Sequence, residues 1–276
     1  MIGAIIGDIV GSPYEGNHMN WVDDKNFPLF AKQWSRFTDD SVLTCATADA
    51  LLNPIEREHR FDIRYKEWAI KYPGRGYGSG FQEWVDRSDI TVNKSYANGC
   101  MMRCSPIPLY CFDLQSSQDM ALKSIQHTHN SPESARGARS IVSAIYMALN
   151  GSTKQQIKAY VEENYGHMCD MTVEDWRNHP KQSIRCNITA PQSLVCFLES
   201  TDYESAIRNA VYTKGDTDTI AAIAGSIAEA FYGVRSIPQT AIDEMKERIT
   251  PEMVGLINEF YEAISYQHEQ YKGFTI

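Results

Sequence analysis

The sequence predicts an all-α fold, and two observations support that class. Apolar residues recur at spacings of three and four along many segments, which is the pattern of amphipathic helices. Alternating strand patterns separated by Asn-Gly or Asp-Gly turns are nearly absent. No repeat, low-complexity linker or break in composition divides the chain, so we expect one domain over residues 1–276.

The predicted helices are best marked in two segments. The first begins at Asp39 and ends before a proline. In the second, Ser131 provides an N-cap, Pro132 takes the first helical position and the pattern continues to Leu149. Glycine and proline residues between 72 and 102 predict loops around short helices. Further helices are predicted at residues 61–70, 118–126, 154–163, 191–199, 203–211, 217–231 and 251–268.

The composition argues against several classes of protein. Acidic residues outnumber basic ones by 35 to 26, and no basic cluster is present, so stable nucleic-acid binding is not expected. The seven cysteines are odd in number and form no CxxC pair, which favours reduced thiols over disulfides or a zinc site. No apolar run approaches the roughly 18 residues of a membrane span. We expect a cytoplasmic monomer.

A first acidic motif, Phe37-Thr38-Asp39-Asp40-Ser41, stands where a predicted helix begins. A capping threonine followed by acids that complement the helix dipole is a routine helix start. Taken alone, this motif therefore decides nothing about function.

A second acidic motif, Gly215-Asp216-Thr217-Asp218-Thr219, opens a run of small apolar residues that predicts a deeply buried helix. Two carboxylates buried there would cost several kcal/mol without a counter-charge, and only Lys214 is a nearby basic residue. A divalent cation removes that cost. Oxygen ligands alone suit Mg²⁺, Mn²⁺ or Ca²⁺, and four carboxylates favour a pair of ions. The candidate metal ligands are Thr38, Asp39, Asp40, Asp216, Asp218 and Thr219.

A third element contains glycine at every fourth position, at Gly3, Gly7 and Gly11. This spacing places a smooth stripe on one face of a helix, which is mainly a packing feature. Asp8 and Glu15 interrupt the pattern, and each could be only a solvated acid. Of the two, Glu15 is the better candidate to enter a cleft.

Five segments in order along the chain resemble the ADP-ribosylglycohydrolase family: GAIIGDIVGSPYE at 3–15, FTDDSVLT at 37–44, YANGCMMRCSPI at 96–107, THNSPE at 128–133 and GDTDTIAAIAGSIAEAFYG at 215–233. The resemblance implies an orthogonal bundle of helices with two Mg²⁺ ions, or Mn²⁺, at the bottom of an ADP-ribose cleft. The two acidic motifs would supply the ligands, and Asp39 or Asp40 would be the general base. Glu15 matches an acidic position of the N-terminal loop and is one candidate for the general acid. The substrate-binding residues implied in this way are Asn98, Gly99, Cys100, Met101 and His129.

The implied activity is metal-dependent release of ADP-ribose from a modified arginine or serine side chain. Two alternatives remain open: the substrate is a small ADP-ribose derivative or ADP-ribosylated nucleic acid, or the chain binds ADP-ribose without catalysis. Three segments depart from the family pattern. Cys100 and Met101 replace a serine and a small residue in the phosphate loop, Lys214 stands where a glycine is usual, and residues 185–189 differ from Cys-Gln-Gly-Ser. We expect residues 72–88 and 168–189 to contact the leaving group.

Overall fold

A computed structural model describes residues 1–16, 21–88, 92–180 and 183–276. Over these residues the chain is helical and forms no sheet, which confirms the predicted all-α class. No helix in these ranges is both long and apolar enough to cross a membrane. The helices are α1 (Ile2–Gly11), α2 (Asp39–Leu52), α3 (Phe61–Lys71), α4 (Ser79–Asp86), α5 (Gly99–Met102), α6 (Pro106–Tyr110), α7 (Leu114–Ile125), α8 (Pro132–Leu149), α9 (Lys154–Tyr165), α10 (Val173–Arg177), α11 (Cys186–Leu198), α12 (Tyr203–Tyr212), α13 (Thr217–Tyr232), α14 (Gln239–Arg248) and α15 (Pro251–Ile264).

The centre of the fold is the antiparallel pair α1 and α13. Gly3 lies against Gly225, and a Cβ at Gly7 would lie 2.2 Å from the carbonyl oxygen of Ala221. Because the glycines leave no side chain between the helices, the two backbones approach closely, which confirms the packing role of the stripe. The pairing brings the end of α1 against the start of α13, so the acids of these two ends meet.

The opposite end of this helix pair is fixed by the buried carboxylate of Glu229. It accepts hydrogen bonds from the Met1 amine, the backbone N–H of Gly3, and the hydroxyls of Tyr261 and Tyr271. Four donors compensate for removing this carboxylate from water. The register of α1 on α13 is therefore set at both ends.

Two helices extend beyond their predicted starts. Helix α7 begins at Leu114, four residues before residue 118, because Asp113 and Ser116 form a capping box. Helix α11 begins at Cys186 and carries Pro191 in its interior, where the prediction placed the proline at the start. The proline removes a single N–H near the beginning of the helix, so the helix tolerates it.

Helix α14 was not predicted, and α15 ends at Ile264, four residues before residue 268. The α14 segment QTAIDEMKER buries only Ala241, Ile242 and Met245, so its apolar face is too narrow to stand out in the sequence. The short helices α4 and α5 confirm the prediction of loops around short helices, apart from residues 89–91, which lie outside the described residues.

Candidate active site

A cavity of about 620 Å³ opens between the start of α2, the start of α13 and the loops around α4 and α5. This volume is within the range of cavities that hold a small-molecule ligand. One end of the cavity is acidic, and Phe81, Tyr96 and His129 also line the cavity. The acidic end contains Glu15, Asp39, Asp40, Asp216 and Asp218.

Carboxylates from α1, α2, α13 and the segment after α1 lie close together at the acidic end of the cavity. Oxygens of Asp8, Asp40 and Asp218 lie within 4.8 Å of one another, and so do oxygens of Glu15, Asp216 and Asp218. Asp218 belongs to both groups. The two acidic motifs, about 180 residues apart in the chain, therefore meet in one cluster through Asp40 and Asp218.

Asp8 is fully buried, and its interpretation as a solvated acid is wrong. It accepts hydrogen bonds from the backbone and hydroxyl of Thr38, at 2.9 and 2.7 Å, and from the backbone and hydroxyl of Ser41. These contacts hold the first turn of α2 against α1. An acid inside an otherwise apolar helix was the available signal, because burial of such a group requires partners.

The remaining predicted ligands lie at the start of their helices. Thr38 caps α2, and its hydroxyl accepts from the backbone N–H of Asp40 at 3.3 Å. The Thr219 hydroxyl donates to Asp40 Oδ2 at 3.3 Å. Asp39 is half-buried at the cavity wall, and its backbone N–H donates to the Arg75 carbonyl at 2.9 Å. Glu15 is exposed at the mouth of the cavity.

The electrostatics of the cluster favour a bound cation. Burial raises the pKa of Asp40 and Asp218 well above the ordinary carboxyl value, and repulsion from neighbouring acids raises it further. Burial also raises the pKa of Asp8 to about 6. No Lys or Arg within the described ranges pairs with these three acids, and Asp40 Oδ1 is buried without a hydrogen bond. An oxygen-only donor set with an unpartnered oxygen fits a hard divalent cation.

The loop before α5 links the cluster to the rest of the cavity. Asn98 donates through Nδ2 to Asp216 Oδ2 at 2.5 Å and to the Thr189 hydroxyl at 3.1 Å. Gly99 and His129 line the cavity beside it. A Cβ at Gly99 would lie 3.3 Å from His129 Nε2, so the loop passes directly along the edge of the imidazole.

The side chains of Cys100 and Met101 do not line the cavity, although both residues were expected to bind substrate. Both are buried, because the first turn of α5 directs them toward α8 and α11. Cys100 Sγ lies 3.3 Å from Cys186 Sγ, and Met101 packs against Gly137. Neither residue therefore contributes to the lining of the cavity.

Comparisons with known proteins agree on one family. The model of the ADP-ribosylglycohydrolase family matches residues 1–270. The chain belongs to this family. Mouse ADP-ribosylhydrolase ARH3 is 27% identical to it over 87% of this chain and 84% of the relative. ADP-ribosylarginine hydrolase Tri1 of Pseudomonas putida (strain GB-1) is 24% identical over 89% of this chain and 72% of the relative. A solved structure described as an ADP-ribosylglycohydrolase-related protein complex covers 95% of both chains at 22% identity, and its TM-score of 0.71 shows the shared fold.

This ADP-ribosylglycohydrolase is thus an enzyme that acts on glycosidic bonds. Its cavity contains residues that the sequence did not single out. Arg103 is 0% exposed and lines the cavity beside Thr128, while Arg36 and Arg75 lie near the acidic end. A basic residue in the apolar segment around α5 was the available signal for Arg103, because a buried guanidinium requires compensation. Arg36 and Arg75 stand in loops, where the sequence carries little pattern.

Proposed function

We propose that this ADP-ribosylglycohydrolase hydrolyses the bond between ADP-ribose and a modified protein side chain, in a reaction that requires two divalent cations, Mg²⁺ or Mn²⁺. One observation supports this most directly: a cluster of carboxylates, with which no Lys or Arg of the described residues forms a salt bridge, lines one end of a cavity large enough for a nucleotide. A carboxylate cluster of this kind binds hard cations, and the cavity above it can hold the rest of the ligand.

Six residues would hold the cations: Thr38, Asp39, Asp40, Asp216, Asp218 and Thr219. When bound, such ions supply Lewis acidity and lower the pKa of water. Asp8 fixes Thr38 and the first turn of α2 through its hydrogen bonds. Asn98 fixes the carboxylate of Asp216. The cluster is thus held in place before any ligand arrives, which limits the entropy lost on binding.

The proton transfers are proposed for the two acids nearest the cavity mouth. Asp39 lines the cavity, where its carboxylate, kept ionised once cations are bound, could accept a proton from water. Glu15 lies beside Asp216, and partial burial together with the charge of Asp216 raises its pKa. A carboxyl group with a raised pKa can donate a proton to the leaving group.

Of the two acceptor side chains, we propose serine. Arg36 and Arg75 line the same end of the cavity as Glu15 and Asp39. The guanidinium of Arg75 is packed 3.7 Å from the centre of the Phe37 ring and donates to the Phe37 carbonyl, so it is held in place. Once bound cations compensate the carboxylates, a leaving arginine would bring a third guanidinium beside these two positive charges, whereas a serine hydroxyl is neutral. The name of the P. putida relative identifies an arginine hydrolase, and the test below includes that substrate.

The test compares matched peptides ADP-ribosylated on serine or on arginine, with Mg²⁺ and with a chelator. We expect release of ADP-ribose from the serine peptide, loss of release with the chelator, and a loss of at least about 100-fold in D39A and D218A. D119N, which changes an exposed acid on α7, is the matched control and should retain activity. Faster release from the arginine peptide would contradict the serine assignment.

Release from neither peptide would contradict the proposal itself. The same assay should then include a small O-linked ADP-ribose ester and an oligonucleotide with an ADP-ribosylated terminal phosphate. Calorimetry with ADP-ribose separates the remaining case, because a non-catalytic binding protein would retain affinity without releasing product from any of the four substrates.

A further inference from the structure

The hydroxyl of Thr128 lies between two residues of the cavity wall. Arg103 donates to it through Nη2 at 2.6 Å, and His129 Nδ1 lies 2.9 Å from the same oxygen. All three residues are buried and all three line the cavity. Arg103, Thr128 and His129 therefore form a hydrogen-bonded row that ends at the imidazole.

The direction of the last hydrogen bond follows from the partners of the hydroxyl. A threonine hydroxyl has one proton to donate, and its oxygen already accepts from Arg103. The competing acceptor is the Ile125 carbonyl, which lies 3.5 Å from the hydroxyl. That carbonyl already accepts from the backbone N–H groups of Thr128, at 3.0 Å, and of His129, at 2.8 Å. Since both of its lone pairs are used, the hydroxyl proton goes to His129 Nδ1.

We propose that Arg103 and Thr128 are positioning residues that fix His129 as a neutral imidazole with its proton on Nε2, where it donates a hydrogen bond to an anionic oxygen of the ligand in the cavity. An imidazole that accepts at Nδ1 carries its single proton on Nε2. This nitrogen faces Gly99 at the cavity wall and makes no hydrogen bond with any residue in the described part of the chain. The nature of the ligand rests on the proposed function, whereas the tautomer does not.

The charge of Arg103 supports both the neutral state of His129 and the anionic character of the ligand. Its guanidinium lies 4.2 Å from the centre of the Tyr65 ring and pairs with no carboxylate in the described ranges. Burial, together with this positive charge, lowers the pKa of His129 well below its ordinary value. The imidazole therefore stays neutral beside a buried cation. The Nε and Nη1 atoms of Arg103 also lack hydrogen-bond partners, so the wall as a whole favours a ligand that brings negative charge.

The decisive test is the ¹⁵N spectrum of the ligand-free protein labelled at histidine, with the His129 signals assigned by their loss in H129Q. We expect the wild-type protein to show a protonated Nε2 and an unprotonated Nδ1. A protonated Nδ1, or an imidazolium at neutral pH, would overturn the inference. This measurement needs no substrate and is independent of catalysis.

Variants of Thr128 test the positioning role. T128V removes the hydroxyl, so we expect both tautomers and an affinity for ADP-ribose about 10-fold weaker. T128S restores the hydroxyl and should restore the single tautomer. If T128S behaves like T128V, the hydroxyl has no positioning role. T128V also leaves the buried Arg103 without its acceptor, which can impair folding of this variant. H129Q and H129N therefore provide a second test that does not require T128V to fold.

These two histidine variants differ in where they place an amide N–H. Glutamine can bring its amide near the position of Nε2, and asparagine only near that of Nδ1. We expect H129Q to bind ADP-ribose about 10-fold more tightly than H129N. Equal affinities would contradict a role for the Nε2 proton. A wild-type protein that shows the expected tautomer but does not bind ADP-ribose would contradict the proposed function and the anionic ligand, and would leave the tautomer established.

Discussion

Gly7 of α1 lies against the carbonyl oxygen of Ala221 in α13, where a Cβ would be only 2.2 Å from that oxygen. The neighbouring residue, Asp8, hydrogen-bonds to Thr38 and Ser41 at the start of α2. The close approach of two backbones and the placement of a buried carboxylate therefore depend on the same turn of α1. Packing in the core and the geometry of the candidate metal ligands are coupled at this point.

The first expectation concerns the close contact between the backbones of α1 and α13. G7A forces the backbones of α1 and α13 apart, so we expect the free energy of unfolding to fall by about 3 kcal/mol, measured by urea denaturation. G255A is the matched control, because a Cβ at this exposed position in α15 would meet nothing within 4 Å. The free energy of unfolding of the control should rise by up to about 1 kcal/mol, since alanine is the better helix former. Equal effects of the two substitutions would contradict the packing role of the stripe.

The second expectation concerns Asp8 as a positioning residue. In D8N an amide replaces a carboxylate that accepts from two backbone N–H groups and two hydroxyls. We expect the affinity for Mg²⁺ to fall at least about 10-fold in calorimetric titration, because residues that orient ligands affect affinity to this extent. D119N should bind Mg²⁺ as the wild type does. An unchanged affinity in D8N would show that Asp8 does not support the site.

The third expectation links pH to cation binding. The folded-state pKa values of Asp8, Asp40 and Asp218 are raised, so without a cation these groups stabilise the folded state at acidic pH and lose this contribution as pH rises through those values. A divalent cation replaces the lost protons. Thermal melts should therefore show an increase in Tm on adding Mg²⁺ that is large at pH 8 and small at pH 5. The same increase at both values of pH would indicate binding elsewhere.

The fourth expectation concerns Lys214, which precedes the second acidic motif. Its φ of +70° lies in the left-handed region, and that of Gly215 is +90°, so two successive residues turn the chain into α13. A glycine at position 214 removes the strain of a side chain in this conformation. The Lys214 ammonium also lies 4.9 Å from the centre of the Trp21 ring, a contact that any shortened side chain loses.

The strain at Lys214 can be isolated by comparing two variants. K214G and K214A both lose the contact with Trp21, but only K214G relieves the backbone. We expect K214G to be more stable than K214A by about 1 kcal/mol in urea denaturation. If K214A is the more stable variant, the left-handed conformation costs nothing at this position.

The sequence alone determined the helical class, the boundaries of α2 and α8, whose ends carry clear signals, and the two acidic motifs. It could do so because helical periodicity, N-caps and glycine spacing are local properties, readable within a few turns of chain. The resemblance in five ordered segments then predicted the family, which the match over residues 1–270 confirms.

Only the tertiary structure decided which polar side chains face the cavity. Asp8 is buried because α2 covers it, and Cys100 and Met101 turn away because α8 and α11 take up their side chains. Arg103, just after α5, meets Thr128, which lies 25 residues further along the chain just after α7. Each outcome depends on how helices distant in sequence pack together. A local pattern shows that a helix has an apolar face, but it does not show which neighbour covers a given polar residue or which partners compensate for its burial.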